Sequence, residues 1–408
     1  MTTADVQAPF VPPHVPPELI TTFNIYDPAY GTDPFASMAA LLKVLPRVSW
    51  TTHDMSGFQP GAWVIGHADD VRYVLQNPTL FSSDGIAGFS LLIGEDWLLT
   101  PLEMDAPRHT QWRQIVNPLF TPLKMQELDD SIRAWALDLV NAVREQDGCD
   151  FMKAFGTPFP IGVFLRLLGL PVDMMPQFLI WENELLHSDD ISTTIKAVRQ
   201  VRDYMWREIE ARRKEPKDDL ISWAVQAKIK DEPLPDREIL GFCMLMYIGG
   251  LDTVAASLGF YWKHLAENQQ NQARIRNEPQ ILNNAVEELL RAHPVVTTHR
   301  RATQDVEIGG VTVKAGDWLM VLTSPAGRDP AAFPNPDEVD FDRANKTNVT
   351  FSLGPHRCLG SNLARREIKI ALEVWAKELP QFRLKAGTRP KMHAGGVLGV
   401  DELQIAWD

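Results

Sequence analysis

Cysteine is scarce in this chain, and its few cysteines are widely separated. The 408 residues contain only Cys149, Cys243 and Cys358, with no C-x-x-C pair. A disulfide framework and a zinc ribbon both need several cysteines at short, regular spacing, so the sequence predicts neither. A reduced, cytoplasmic protein fits this pattern best, with at most one cysteine that has a special role.

Long apolar runs and targeting signals are also missing from the sequence pattern. No uninterrupted apolar stretch approaches the roughly 20 residues that cross a bilayer. The N-terminus lacks the basic and apolar regions of a signal peptide. Residues 1–20 are rich in proline and predict an extended arm on or off the surface, followed by a single domain over residues 21–408.

Positive charge is in deficit, with 40 lysines and arginines against 53 acidic residues and a net charge of -13. This balance disfavours wholesale binding to nucleic acid or to an anionic membrane, although it is compatible with a local basic patch. Hydrophobic residues make up 45% of the chain and charged residues 23%, as is usual for a globular protein.

Apolar residues recur every three or four positions through most of the chain, which predicts a mainly α fold with a few small β-sheets. A long helix is expected from Asp236, as N-cap after Pro235, to about Glu267. At 1.5 Å per residue it spans about 45 Å and is therefore expected to be central and buried. The other expected elements are a mostly helical stretch at 107–223, a strand at 62–66, helices at 69–75, 279–292 and 359–379, and a hairpin at 306–313.

The strongest chemical signal is the segment from Phe351 to Gly360, which reads Phe-Ser-Leu-Gly-Pro-His-Arg-Cys-Leu-Gly and precedes an amphipathic helix. Cys358 is therefore expected at a helix N-terminus, where the dipole and backbone N–H groups lower the thiol pKa. Both favour the thiolate, the form that binds iron. Gly354 and Gly360 would let the backbone approach a flat ligand. For a lone cysteine, a buried position in a helix-capping loop is the ordinary interpretation.

The spacing Phe-x-x-Gly-x-His-x-Cys-x-Gly resembles the haem-binding loop of the cytochromes P450. The resemblance covers nearly the whole chain and implies the cytochrome P450 fold, a single triangular, mainly helical domain that sandwiches the haem. It implies haem b as the cofactor, with the iron bound by the Cys358 thiolate. It also places Phe351, Gly354 and Gly360 against the haem.

Glu288-Leu289-Leu290-Arg291 puts an acid and a base three residues apart, and therefore on one helix face. Alone, this is an ordinary solvated pair. The resemblance implies instead that Glu288 and Arg291 are buried behind the haem loop, and that Arg343 completes this lock.

Two glycines and an aspartate interrupt the apolar part of the long helix, in Gly249-Gly250-Leu251-Asp252-Thr253. Each glycine costs up to about 1 kcal/mol relative to alanine, and a buried carboxylate without partners costs more. Close helix packing with Asp252 turned to solvent is one explanation, and a local opening of the helix is the other. The segment resembles the P450 acid–alcohol pair, which implies that Asp252 relays protons while Thr253 and the freed carbonyls hold dioxygen and water.

Four basic residues in separate segments acquire a common role from the same resemblance. Each would more often be an ordinary surface residue. Haem carries two propionates, whose burial needs cationic partners. The resemblance assigns this role to Arg113, Arg300 and His356, and His109 lies one turn before Arg113.

The resemblance is to the soluble bacterial class, which implies electrons from an iron–sulfur ferredoxin served by an NADH-dependent reductase. An acidic ferredoxin needs a locally basic docking face. Arg113, Arg357, Arg365 and Arg366 are candidates for it, and a solvated charged helix face is the alternative for the last two.

The wording Gly-Gly-Leu-Asp-Thr-Val is similar to the camphor hydroxylase group, in which a tyrosine anchors the substrate. Trp97 stands at the corresponding position, so camphor itself is not expected. The expected substrate is a compact apolar terpenoid or norisoprenoid that is hydroxylated. The expected pocket walls are Trp97, Leu245, Ile248, Val295, Val296 and Val397.

Two other classes of protein remain open from the sequence. One is a haem-thiolate protein that is driven by peroxide or that serves as a non-oxygenating sensor. The other is a helical hydrolase without haem, in which Cys358 acts with a histidine. The absorption spectrum of the reduced, CO-bound protein separates haem-thiolate proteins from a hydrolase without haem, and rescue by peroxide identifies a peroxide-driven enzyme.

Overall fold

The computed structural model describes residues 11–53, 61–188 and 190–407. Helices dominate this part of the chain, as the periodicity predicted. They are α1 Pro34–Val44, α2 Ala68–Gln76, α3 Arg108–Val116, α4 Pro122–Gln126, α5 Asp129–Asn141, α6 Pro158–Leu167, α7 Met175–Leu186, α8 Ile191–Lys214, α9 Leu220–Gln226, α10 Asp236–Leu251, α11 Thr253–Glu267, α12 Gln269–Asn277, α13 Leu282–Ala292, α14 Thr323–Gly327 and α15 Ser361–Glu378.

The strands are short and form small sheets. They are β1 Ile20–Thr21, β2 Val48–Thr51, β3 Ala62–Ile65, β4 Phe81–Ser82, β5 Gly148–Asp150, β6 Lys228–Ile229, β7 Glu232–Pro233, β8 Thr297–Ala302, β9 Val306–Ile308, β10 Val311–Val313, β11 Trp318–Leu322, β12 Phe382–Leu384, β13 Lys391–His393, β14 Gly399–Glu402 and β15 Gln404–Trp407. Among the described residues, the largest sheet has the order β1-β2-β3-β11-β8-β4. In it β11 pairs parallel with β3 and antiparallel with β8.

The short elements expected from local signals are present. Strand β3 and helix α2 match the first predicted strand–helix unit. Strands β9 and β10 form the predicted hairpin, in register Val311 to Ile308. Its turn residues Gly309 and Gly310 have φ of 56° and 85°, the left-handed conformation that a two-residue hairpin turn requires and that glycine adopts without strain.

The long central helix is divided at Asp252 into α10 and α11. The span Asp236–Glu267 is long and apolar enough to cross a membrane, but most of its apolar window is buried in the structure, as in the core helix of a globular protein. Asp236 was expected as the N-cap, and this was wrong. Pro235 takes the non-helical N-cap conformation, and Asp236 begins the helix with its carboxylate paired to Arg213.

Helix α11 is fixed in the core by aromatic contacts and by a close approach to a strand. The Trp262 ring stacks on Phe151, 4.7 Å between centroids, and meets the Trp375 ring of α15 edge-on at 5.5 Å. A Cβ on Gly259 would lie 2.8 Å from Val400, so the glycine allows β14 to pack directly on α11. These contacts hold the β13–β14 hairpin against the central helix.

The proline-rich arm is packed on the protein over its described part, residues 11–20. Val15 is buried, and the His14 Nε2 atom lies 2.8 Å from the Asp317 carboxylate. Strand β1 covers residues 20 and 21 and pairs with β2. The expected boundary between the arm and the domain, after residue 20, therefore falls within a strand. The first ten residues of the predicted arm lie outside the described residues.

Candidate active site around Cys358

A cavity of about 1370 Å³ lies between the α10–α11 break and the loop that precedes α15. Gly249 and Thr253 line it from the helix break, and Cys358 and Gly360 line it from the loop. Small-molecule pockets usually have volumes of about 300–1,000 Å³. This cavity therefore has room for a large cofactor together with a substrate.

The loop around Cys358 is built by local backbone geometry. The Cys358 N–H donates to the Phe351 carbonyl at 2.8 Å, which closes the loop. Gly354 has φ of 67°, and a Cβ there would lie 2.8 Å from the Leu75 carbonyl at the end of α2. Gly354 does not line the cavity, so the expectation that it approaches a flat ligand was wrong. Its glycine is required by the left-handed backbone and the contact with α2.

The Cys358 thiol faces the cavity and is the exposed cysteine among the three. The protein around the cavity desolvates the sulfur and thereby raises the pKa of this thiol, while the Gly360 N–H and the charges of Arg113, Arg365 and Arg357 act in the opposite direction. A position before a helix N-terminus predicted a lowered pKa, and this direction was wrong. Because a coordinated thiol is deprotonated outright, a bound metal ion would itself supply the thiolate state.

Four basic side chains converge at one edge of the cavity. The rings of His109 and His356 stack with centroids 4.0 Å apart. Burial, together with the nearby Arg113 and Arg300 charges, lowers the pKa of His109 to about 4 and that of His356 to about 3. Burial also lowers the pKa of Arg300 to about 10. The fold thus brings these four predicted residues together from segments that are far apart in the sequence.

In the described part of the chain, no paired carboxylate neutralises the two arginines of this cluster, although buried cations need such partners. Arg113 donates to the Arg357 carbonyl at 2.9 Å, and its Nε is buried without a partner. Arg300, only 2% exposed, donates to Thr298 and to the His299 carbonyl. Neither guanidinium forms an ion pair with a carboxylate among the described residues. Two propionates at this edge would supply the missing charge.

The two cavity faces also suit a flat ring. A Cβ added at Gly249 or at Gly360 would meet nothing within 4 Å, so both glycines border open space. Cys358 faces this space with the metal-binding atom of the loop. The residues present therefore fit a haem that is held by a cysteine, with its propionates at the His109–Arg300 edge.

Glu288, Arg291 and Arg343 form a buried ion-pair network behind the loop. Arg291 donates to both Glu288 carboxylate oxygens, at 2.7 and 3.1 Å, and Arg343 donates to Oε1 at 2.9 Å. The side chains of Glu288 and Arg291 are fully buried. The remaining guanidinium N–H groups donate to backbone carbonyls, including those of Gly327 and Glu338.

The two glycines at the helix break have different structural roles. A Cβ on Gly250 would lie 2.5 Å from the Phe164 ring, so close packing accounts for this glycine. Gly249 faces the cavity, and its carbonyl accepts a hydrogen bond from the Thr253 hydroxyl at 3.1 Å. The Asp252 side chain is only 13% exposed, so it does not turn to solvent. Its Oδ2 atom is buried and lacks a hydrogen bond.

The sequence analysis missed an acid–imidazole cluster beside this break. His187 Nε2 lies 3.5 Å from Glu182 Oε1 and 3.7 Å from Asp252 Oδ2. Burial lowers the pKa of His187, but the attraction of the two nearby carboxylates outweighs burial and raises this pKa to about 10. Burial and the Asp252 charge raise the pKa of Glu182. No local motif marks Glu182 and His187, because α7 and the helix break meet only in the folded chain.

The predicted apolar wall is largely present. Leu245 and Ile248 of α10 line the cavity, and so do Val295, Val296 and Val397. Val296 forms a β-bridge with Val397, which joins two of the walls. An apolar ligand would therefore contact both α10 and the segment that leads into β14.

Trp97 does not line this cavity, so its assignment to the pocket was wrong. Its indole N–H donates to Glu95 Oε2 at 2.6 Å, and Glu95 pairs with Arg202 of α8. An acceptor two residues earlier thus satisfies the indole in the core. The side chains of this region that line the cavity are Ile86, Phe89, Leu92 and Leu99.

The predicted basic docking face is largely neutralised. Arg365 pairs with Glu287, and Arg366 donates to Asp129 at 2.7 and 2.9 Å. Arg113 points into the cavity, while Arg357 is exposed. The expected patch was wrong for Arg365 and Arg366, because acidic residues of α13 and α5 lie within reach in the fold.

The fold and this cavity define the class of haem-thiolate oxidoreductases. The family model for cytochrome P450 matches residues 171–400, and the chain belongs to the cytochrome P450 family. It is 37% identical over 403 residues to "Probable cytochrome P450 127A1" of Sinorhizobium fredii, which covers 97% of each chain. It is 31% identical to "Steroid C26-monooxygenase" of Mycobacterium tuberculosis over 81% of this chain and 91% of that protein.

Solved structures agree with the family and its fold. CYP101C1 superposes with a TM-score of 0.87 and 30% identity, over 98% of this chain and all of that chain. CYP109E1 from Bacillus megaterium, in complex with testosterone, has a TM-score of 0.83 and 28% identity, over 93% and 99%. The chain is therefore a P450 oxidoreductase of the soluble bacterial type, whose cofactor is haem b bound through a cysteine thiolate.

Proposed function

We propose that this chain is a monooxygenase that binds haem b through Cys358 and hydroxylates a compact apolar molecule with dioxygen. One observation carries the proposal. Cys358 faces the break at Asp252 and Thr253 across a single cavity, and no carboxylate of the described residues forms an ion pair with Arg113 or Arg300 at its edge. The bound haem supplies reductive activation of dioxygen, and the residues of the chain supply the remaining functions.

Arg113, Arg300, His109 and His356 would hold the propionates. Their convergence at one edge would orient the cofactor by its propionates. Phe351 lines the cavity, and its ring is covered by the Arg365 guanidinium at 4.6 Å. This contact would hold the ring on the cysteine side of the haem.

Asp252 and Thr253 would move protons into the cavity. The Asp252 carboxylate lies in the cavity wall, and among the described residues its Oδ2 atom accepts no hydrogen bond. The Thr253 hydroxyl lies in the cavity wall on the Gly249 carbonyl. A hydroxyl both donates and accepts, so it could pass a proton from Asp252 toward the cavity.

The walls favour an apolar substrate of terpenoid or norisoprenoid size. Leu245, Ile248 and Val295 present aliphatic surface, and Ile86 and Leu99 add to it from the opposite segment. The names of the steroid hydroxylase relative and the testosterone complex indicate apolar ligands in that protein and that structure. The cavity is also large enough that ligands of steroid size can be tested.

Electrons would come from an acidic iron–sulfur ferredoxin and an NADH-dependent reductase in the cytoplasm. Arg357 is the exposed cation of the cysteine loop, and it lies directly before Cys358. Arg113 contacts the Arg357 carbonyl. Docking at Arg357 would therefore bring the donor close to the proximal side of the haem.

A ligand screen that follows the iron spin state tests the substrate class. Terpenoids and norisoprenoids should shift the Soret band toward the high-spin form, with steroids as the larger comparison set. Product should then depend on ferredoxin, reductase and NADH. Turnover with hydrogen peroxide alone would assign the chain to the peroxide-driven class, and a haem protein with no turnover under either condition would be a sensor.

A further inference from the structure

We propose that Glu182, His187 and Asp252 form a zinc-binding site in the wall of the cavity. The imidazole nitrogen and the two carboxylate oxygens all lie within 4.8 Å of one another. They come from the end of α7 and from the α10–α11 break. The binding site stands on this geometry alone, and its effect on turnover rests on the proposed role of Asp252.

The spacing of these donor atoms suits a tetrahedral ion. Zinc bonds to nitrogen and oxygen of about 2.0–2.1 Å place tetrahedral ligands about 3.3 Å apart. His187 Nε2 lies 3.5 Å from Glu182 Oε1 and 3.7 Å from Asp252 Oδ2. Shifts of a few tenths of an ångström complete three ligand positions. All three residues line the cavity, so water can occupy the fourth position.

Burial leaves this cluster short of positive charge. Asp252 Oδ2 is buried without a hydrogen bond, and only 10% of the Glu182 side chain is exposed. As metal ligands, the two carboxylates and the neutral imidazole carry a charge of -2, and buried charge is costly without a partner. One zinc ion balances this charge.

The donor set selects zinc over the hard cations. Calcium and magnesium take oxygen ligands, whereas imidazole suits zinc and other late first-row metals. His393, whose ring lies 4.9 Å from that of His187, is tied through Nδ1 to Asp401 and is outside the ligand group. The site is therefore of the one-histidine, two-carboxylate type.

Zinc at this site would inhibit turnover. Its bond to Asp252 Oδ2 removes the carboxylate proposed to deliver protons, and it also ties α7 to the helix break.

Calorimetric titration of the haem-loaded, chelator-treated protein with zinc tests the site. One zinc ion should bind per chain. His187→Ala and Glu182→Gln should each weaken binding by about 100-fold or more, since loss of a ligand exceeds the 10- to 100-fold cost of losing an outer-shell partner. His14→Ala is the matched control, because His14 pairs with Asp317 without a third ligand.

Zinc-edge X-ray absorption identifies the ligands independently of turnover. A shell of nitrogen and oxygen at about 2.0–2.1 Å supports the site, and a sulfur shell at about 2.3 Å would place zinc on cysteine and overturn it. Binding that is unchanged in folded His187→Ala protein also overturns it. Neither calorimetry nor X-ray absorption depends on monooxygenase activity. The zinc result can therefore be interpreted even if no monooxygenase activity is found. Zinc that binds here without slowing turnover would instead contradict the role of Asp252.

Discussion

The hydroxyl of Thr253 donates a hydrogen bond to the Gly249 carbonyl, 3.1 Å away, at the point where the central helix is interrupted. Both residues line the cavity that Cys358 faces. Beside them, the Asp252 Oδ2 atom is buried without a hydrogen bond. The break thus places an alcohol and a carboxylate together at the cavity wall.

Thr253→Ala should keep haem bound while diverting electrons from product to hydrogen peroxide. The alcohol is the proposed last donor in proton delivery, and general acid–base catalysis contributes about 100-fold or more to a rate. Because water can replace part of this function, product formed per NADH should fall about tenfold or more. Product, NADH and peroxide are measured together with saturating ferredoxin. Thr253→Ser keeps the hydroxyl and is the control. Equal coupling in the alanine variant would remove Thr253 from the relay.

Arg300→Leu should weaken haem retention. A hydrogen bond to a charged group contributes about 1.5–3 kcal/mol, so haem loss should accelerate roughly 10- to 150-fold. Transfer of haem to an excess of an apo-globin measures this rate. Arg301→Leu is the matched control, because Arg301 is the next residue of β8 and its side chain is 44% exposed. Equal rates in the two variants would contradict a propionate at Arg300.

Glu288→Gln should strongly destabilise the fold. The change leaves Arg291 and Arg343 buried without their shared carboxylate, and breaking a buried ion pair costs about 3–5 kcal/mol. Urea unfolding measures this loss in the free energy of unfolding. Glu287→Gln, the neighbouring position, should cost at most about 1 kcal/mol, because its pair with Arg365 is partly solvated. A similar loss in the free energy of unfolding in both variants would show that the buried network stabilises the fold no more than a surface ion pair does.

Acid should destabilise the protein through its buried histidines. Burial and the Arg328 charge lower the pKa of His293 well below its usual 6.5. The unfolded chain therefore binds more protons than the folded chain as the pH falls below about 6.5, and the free energy of unfolding decreases there. His293→Gln should flatten part of this decrease between about pH 7 and 5 in denaturant titrations. An unchanged slope would show that His293 is not neutral in the fold.

Local motifs predicted much of the fold and the centre of the site. The Cys358 loop, the Glu288–Arg291 pair and the break at Asp252 are each encoded within a few residues, so a resemblance to a known family could identify them and imply their roles. The hairpin at Gly309 and Gly310 was predicted for the same reason.

What the sequence could not predict depends on contacts between distant segments. Trp97 and Arg366 have acidic partners that settle their orientation, and Gly354 meets the backbone of α2. His187 meets Asp252 only because α7 crosses the helix break. The net pKa of Cys358 likewise depends on how far the folded chain around the cavity desolvates its sulfur, which helix position alone does not give.

The absorption spectrum of the reduced, CO-bound protein tests the central claim most directly. Wild-type protein with haem should show the strongly red-shifted Soret band of cysteine thiolate ligation, and Cys358→Ala should lose it while Cys149→Ala and Cys243→Ala keep it. A wild-type Soret band without this shift, or a red-shifted band that persists in Cys358→Ala, would contradict iron ligation by Cys358.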